Sequence, residues 1–163
     1  MQKIGPCLWF DGAAEEAAQF YVSVFPNARI VSTTHYVEST HRPIGSVMTV
    51  EFVLDGQEFV ALNGGPYFNF SPAISMVVPC DTQAQLDHLW SRLMDGGHAQ
   101  QCGWLTDKFG VSWQIVPKTL TAMMQGDNTA AAQRAVAAML QMVKLDIAAL
   151  EQAYHSDRAN GTH

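Results

Sequence analysis

The pattern of apolar and polar positions divides this chain into two runs of similar order and a helical tail. Residues 3–10, KIGPCLWF, read as a first strand, and Asp11-Gly12 breaks it with Asp11 placed to cap the next element. Over 13–25, Ala14, Ala17, Ala18, Tyr21, Val22 and Phe25 recur at helical spacing until Pro26-Asn27 stops the run. The β-branched stretch 28–37 predicts a second strand, and polar 38–45, with Pro43 and Gly45, a loop. Strands over 46–54 and 57–63 flank Asp55-Gly56, a pair suited to a type I′ turn because both positions need positive φ.

After the linker GGPYFNFSP (64–72) the order restarts. Residues 73–79 predict a strand, and Asp81 or Thr82 caps a helix over 82–95 with Leu86, Leu89, Trp90 and Leu93 on one face. Gly96-Gly97 ends it, and strands follow over 98–105 and 112–117. The stretch LTDKFGVSWQIVP (105–117) reads as strand, tight turn, strand, with Asp107 leading the turn and polar Gln114 inside an apolar run. FDGAAEEAAQFY and CDTQAQLDHLW hold equivalent places, a weak internal repeat. Past the cap candidates 126–129, one helix is expected to reach Tyr154. Val136, Leu140, Val143, Ile147, Leu150 and Tyr154 form its apolar seam, either docked on the chain's own sheet or used in a dimer contact. Residues 156–163 are expected to fray. The organisation is therefore an α+β domain spanning 1–163, with modules at 1–66 and 71–118 and a helical extension over 119–155.

Composition narrows the function classes. With 163 residues and 48% hydrophobic content, the chain can bury a real core. Charged residues make up only 15%, which favours an oligomer, and a homodimer is the expectation. Net charge is −6, and the nine Lys and Arg are scattered, so nucleic acid is not an expected partner. No apolar run approaches the ~18 residues of a membrane helix, and the N-terminus does not read as a signal peptide. Three widely spaced cysteines without CxxC argue against a zinc site or disulfides, and the default expectation is a cytoplasmic protein.

The segments LWFDGAAEEAAQFYVSVFP (8–26), GSVMTVEFVLDGQEFVALNGGP (45–66) and CGWLTDKFGVSWQIVP (102–117) resemble the vicinal-oxygen-chelate superfamily, which includes glyoxalases, extradiol dioxygenases and bleomycin-resistance proteins. More narrowly they resemble its PhnB-like branch, also called 3-demethylubiquinone-9 3-methyltransferase-like, as does the tail AVAAMLQMVKLDIAALEQAY (135–154). The resemblance implies two βαβββ modules that curl their sheets around a cleft, plus the C-terminal helix. It also implies a divalent cation held by His and Glu from the first and last strand of each module. Here those positions fall at Ile4 or Pro6, near Asn63, near Ala73 or Ser75, and at Gln114. Neutral amides without imidazole or carboxylate make a poor cation site, so no metal is expected. The six histidines, His35, His41, His88, His98, His155 and His163, share no HxH or HxxxH spacing. The methyltransferase label implies S-adenosylmethionine, but no GxG occurs after a strand, and no cofactor is expected.

Strand alternation gives candidate cleft residues. Val50, Phe52 and Leu54 suit a helix-covered face, leaving Thr49, Glu51 and Val53 opposite; Val60 and Leu62 are assigned to the covered face, leaving Ala61 and Asn63 opposite. Trp113 and Ile115 are covered, leaving Ser112, Gln114 and Val116. The expected ligand site gathers Glu51, Asn63 and Gln114 between walls from Trp9 or Phe10 and Trp104, with Ser75 and Cys102 as further candidates. Glu51, the one mid-strand carboxylate, is a candidate general base if buried and a solvated group if not. Cys102 is either a nucleophile or an inert cysteine. Tyr67, Phe68 and Phe70 form either a lid or a core plug. The functional expectation is a metal-independent binder of an apolar or aromatic small molecule. The rival is an enzyme on an aromatic or quinone-like substrate.

Overall fold

The computed structural model describes residues 3–38 and 42–156; His41, His163 and the tail beyond Ser156 lie outside the described residues. Contacts divide the chain into two units, 1–71 and 72–163. The first holds Cys7–Phe10 (β1), Ala14–Val24 (α1), Arg29–His35 (β2), Val47–Leu54 (β3) and Gln57–Asn63 (β4). Its sheet runs β1-β4-β3-β2, with β1 parallel to β4 and the other pairs antiparallel. The second holds Ser75–Cys80 (β5), Gln83–Met94 (α2), His98–Ala99 (β6), Trp104–Thr106 (β7) and Ser112–Pro117 (β8), and repeats the arrangement as β5-β8-β7-β6. Each unit is the expected βαβββ module. Three helices follow: Lys118–Gln125 (α3), Thr129–Met139 (α4) and Ile147–His155 (α5).

In the first unit, Asp55 and Gly56 take φ of +46° and +83°, as the type I′ turn requires. A two-residue turn fixes the hairpin register, so Leu54 faces Gln57, Phe52 faces Phe59 and Val50 faces Ala61. Apart from exposed Gln57, these side chains form the face that α1 covers. Ala14, Ala17, Ala18 and Tyr21 of α1 are buried, and Tyr21 stacks on Phe52, which stacks on Phe59 at 5.2 Å. The expectation that Val60 and Leu62 share this face is corrected: they pair with Glu51 and Thr49 on the opposite side.

The start of α1 departs from expectation for the same reason. Asp11 does not cap it; Asp11 pairs with Arg42 at 3.3 Å, and the cap position is Ala13 without a side-chain bond. Asn63, brought to the helix side by the register, supplies the missing acceptor. Its Oδ1 accepts from the Ala14 N–H at 2.9 Å, and its Nδ2 donates to the Val47 carbonyl at 3.1 Å. The residue is 3% exposed, so both bonds are made away from water.

In the second unit, Thr82 caps α2 by accepting from Gln85 N–H, while Gln85 reaches back to Asp81 N–H, a variant of the capping box. Leu86, Leu89 and Leu93 bury against the sheet, where Leu105, Trp113 and Ile115 form the facing layer. Asp107 acts as the turn residue that its position promised. Its carboxylate accepts from Phe109 N–H, Val111 N–H and the Trp113 indole at 2.8–3.0 Å. The expected strand over 98–105 is interrupted. Cys102 has φ +60°, and the Cys102 and Gly103 N–H groups donate to the Met142 and Val143 carbonyls instead of to a neighbouring strand.

Those two carbonyls also explain why the tail is three helices and not one. After Met139 the last turn tightens to i→i−3 bonds, and residues 140–146 run across the 102–103 turn. Asp146 then caps a new helix by accepting from Ala149 N–H. The expected seam is broken there: Leu140 and Val143 are exposed, and Leu145 is buried in their place. Gln83 of α2 clasps the extension, accepting from Ile147 N–H at 2.8 Å and donating to the Leu145 carbonyl and to Asp87. Lys144 closes on Asp87 at 2.8 Å.

Two outcomes follow. Asn63→Ala removes a cap and leaves the Val47 carbonyl without its donor, so urea unfolding should show a loss of about 2–3 kcal/mol; a loss below about 0.5 kcal/mol would contradict the assignment. Hydrogen bonds from Lys144 and Gln83 hold the Asp87 carboxyl below its ordinary value of 3.8. A folded-state pKa below the unfolded one gives stability that is full above about pH 4 and lost as pH falls through the lower value. The melting-temperature difference between the wild type and Asp87→Asn should therefore be flat from about pH 5 to 8 and shrink only below about pH 4. A difference that changes between pH 5 and 8 would count against the clasp.

Candidate functional site

Each sheet has a helix face and a far face, and register decides which side chains occupy the latter. On the first sheet, one cross-strand row runs Trp9, Leu62, Thr49, Thr34 and the next runs Cys7, Val60, Glu51, Ser32. Glu51 accepts from Ser32 Oγ at 3.0 Å, and the Thr34 and Thr49 hydroxyls bond each other at 2.5 Å. Trp9 is half-buried and anchored, with Nε1 donating to the Gly65 carbonyl at 2.9 Å and its ring edge-on to Phe68 at 4.9 Å. Gly64 lets the backbone pass this ring, since a Cβ there would sit 2.3 Å from Trp9. A shallow depression beside Glu51 is lined by Val31, Val53 and Glu58.

On the second sheet, one row runs Ser75, Ser112, Thr106, His98, and the next places Val77, Gln114 and Trp104 side by side. Gln114 Nε2 donates to Ser75 Oγ at 2.8 Å, and Gln100 Nε2 donates to Thr106 Oγ1 at 2.6 Å. Trp104, Ser75 and Gln114 are half-buried, whereas Val77 is 60% exposed. No Lys, Arg, Asp or Glu occupies a far-face position in the four strands of this sheet.

Three of the expected site residues are not where alternation put them. Asn63 lies on the helix face opposite Glu51, with both ends of its amide engaged. Phe10 also lies on the helix face, 4% exposed and edge-on to Phe70 at 5.2 Å. Cys102 stands in the turn between β6 and β7, outside the strand where alternation would orient it. Trp9 and Glu51 share the far face of the first sheet; Ser75, Trp104 and Gln114 share that of the second. The linker aromatics divide: Phe70 packs in the first unit against Phe10, and Tyr67 and Phe68 are each 65% exposed. Cys80 is fully buried, and burial, reinforced by Asp81 and opposed by Lys118, pushes its thiol up to about 11. That makes it a poor nucleophile.

The residues present do not fit the divalent cation that the resemblance implies. Asn63 spends its oxygen on a helix N-terminus, and Gln114 turns its amide nitrogen onto Ser75. Among the described residues no three His, Cys, Asp or Glu gather as ligands. Uncharged oxygens in this number give a divalent ion neither charge nor a chelating geometry.

Sequence reasoning put Ser112 on the far face but missed that it is 2% exposed with an unpartnered Oγ, and missed the capping role of Asn63. The signal for Asn63 was available: once Asp55-Gly56 is a two-residue turn, position 63 must fall on the face of Val50 and Phe52.

A sequence profile of the 3-demethylubiquinone-9 3-methyltransferase family matches residues 2–116. A Bacillus cereus PhnB protein described with the same methyltransferase name is 38% identical, and the match covers 71% of this chain and 99% of that one with a TM-score of 0.65. A Pseudomonas aeruginosa protein is 22% identical over 72% of this chain and 98% of its own, with a TM-score of 0.60, a likeness of fold. No curated protein matches. The profile stops before α3, so the helical extension lies outside it. With a βαβββ order in each unit and the profile reaching into both, the chain belongs to the PhnB-like 3-demethylubiquinone-9 3-methyltransferase family.

Proposed function

We propose that this protein binds a small apolar or aromatic molecule on its far-face surfaces, with neutral hydrogen-bonding groups in place of a divalent cation. The observation that carries the reading is the pairing of a tryptophan with polar neighbours on each far face. Trp9 shares its face with Thr49 and Glu51, and Trp104 stands beside Gln114. Aromatic walls with a few oriented polar groups are the usual make-up of a small-molecule site.

A second reading, an enzyme acting on an aromatic or quinone-like substrate, draws on Glu51. Its carboxylate is in mid-strand, on the face of Trp9, and within reach of a proton at that face. The family's methyltransferase description adds no residue to it, because no glycine-rich strand-to-helix loop for S-adenosylmethionine is present among the described residues.

Calorimetry with 2-naphthol and 1,4-naphthoquinone tests both readings. Saturable binding is expected, weakened about tenfold or more, roughly 1.4 kcal/mol, by Trp9→Ala or Trp104→Ala. Glu51→Gln should leave affinity within about threefold for a binder, whereas loss of product formation in that variant would support the enzyme. No saturation by either compound up to about 1 mM would overturn the binding reading.

A further inference from the structure

Trp104, the aromatic wall of the second far face, follows a turn that its own residues do not favour. Cys102 and Gly103 take φ of +60° and +83°, and the Trp104 N–H closes the turn on the Gln101 carbonyl at 3.2 Å. Two consecutive positive φ values are the pattern of a type I′ hairpin turn, which prefers Asn or Asp before Gly. Asp55-Gly56 of the first unit meets that preference. Cys102 does not. Its Cβ crowds the following carbonyl in the left-handed region, and it lacks the short polar side chain that eases Asn or Asp there. A residue kept in such a conformation needs surroundings that over-determine it.

The helical extension supplies them. The Cys102 and Gly103 N–H groups donate to consecutive carbonyls, Met142 at 2.9 Å and Val143 at 2.8 Å. Leu145 is fully buried, and a Cβ on Gly103 would sit 3.0 Å from its side chain, so Leu145 packs directly on the turn. Gln83 of α2 holds this strap from the other side, accepting from Ile147 N–H and donating to the Leu145 carbonyl. Toward the sheet, Ile115 N–H donates to the Gly103 carbonyl at 2.8 Å, which brings Trp104 opposite Gln114. β6 is two residues long, and its register with β7 ends at Ala99 and Leu105, one residue short of Trp104. The turn and the strap behind it therefore decide where Trp104 stands.

Resting on the small-molecule reading above, we infer that the extension is a positioning element of the second far face. Gln83 holds the 142–145 strap, the strap holds the Cys102-Gly103 turn, and the turn sets the Trp104 ring beside Gln114 and Val77. A wall fixed in advance costs a ligand less ordering on binding. Affinity for a planar ring therefore depends on Gln83, although Gln83 belongs to the helix that covers the opposite side of the sheet and does not touch a far-face ligand. The family profile ends at residue 116, so the support for this wall comes from sequence beyond it.

Amide hydrogen exchange, together with calorimetry using 2-naphthol and 1,4-naphthoquinone, tests this on the wild type, Gln83→Ala, Trp104→Ala and their double variant. In Gln83→Ala the Gly103 amide should exchange about tenfold faster, and ring affinity should fall about fivefold. In the Trp104→Ala background, Gln83→Ala should change affinity by less than about twofold, because the wall it positions is gone. A merely structural loss would lower affinity in both backgrounds alike. Adding Cys102→Asn, which suits a type I′ turn unaided, should return most of the affinity lost in Gln83→Ala. If thermal unfolding shows that Gln83→Ala does not fold, Ile147→Pro takes its place. It removes the N–H that Gln83 accepts, at the first position of α5, where proline fits. Unchanged exchange at Gly103, unchanged affinity in the folded variant, equal loss with and without Trp104, or no recovery by Cys102→Asn would overturn the inference and leave the small-molecule reading in place. No saturable binding of either compound to the wild type would overturn both.

Discussion

The register of the β3–β4 hairpin is the constraint from which the rest of the first unit follows. A two-residue Asp55-Gly56 turn forces Leu54 opposite Gln57, and every later pair is then determined. That arithmetic stacks Phe52 on Phe59 beneath Tyr21 and builds the core. It also sends Asn63 to the helix side, where its amide receives the start of α1 and holds the Val47 carbonyl. The same parity leaves Glu51 and Trp9 on the far face. One slip of register would exchange the two sets, exposing the aromatics and burying the carboxylate, and the cost of that exchange keeps the arrangement unique.

Two of the buried polar residues, Asn63 and Asp107, serve backbone. Asn63 in the first and Asp107 in the second each close several N–H or C=O bonds that the chain cannot close within its strands and helices. Asp107 additionally takes the Trp113 indole proton, tying the final hairpin to the core of the second sheet. What is left for chemistry is therefore a short set on the far faces. In the second sheet that set holds no Lys, Arg, Asp or Glu, and its character is hydrogen bonding next to aromatic surface. The family to which the chain belongs carries a reaction in its name, but a fold and a name do not by themselves supply one.

Much of this was legible in the residues. The order of elements in the first unit, the Asp55-Gly56 turn, a cap at Asp81 or Thr82, the Asp107 turn and the covered positions Trp113 and Ile115 all follow from spacing and turn chemistry. The failures have physical causes. Alternation within β4 was assigned from hydrophobicity, which favours Val60 and Leu62 as core, when the turn length had already decided for Phe59 and Ala61. The tail seam from Val136 to Tyr154 has helical spacing throughout, yet Asp146 is a cap, and the Met142 and Val143 carbonyls bond to Cys102 and Gly103. Periodicity alone cannot see a long-range partner for a carbonyl. Cys102 was lost from the strand for the same reason.

Register and hydrogen bonding have left the positions where the resemblance implies a cation with engaged or neutral groups. Elemental analysis of the purified protein, followed by calorimetric titration with Mn²⁺, Ni²⁺ and Zn²⁺, measures this directly. Substoichiometric metal and no saturable binding at micromolar concentration are expected. One tightly held ion per chain, lost in Gln114→Ala, would contradict it.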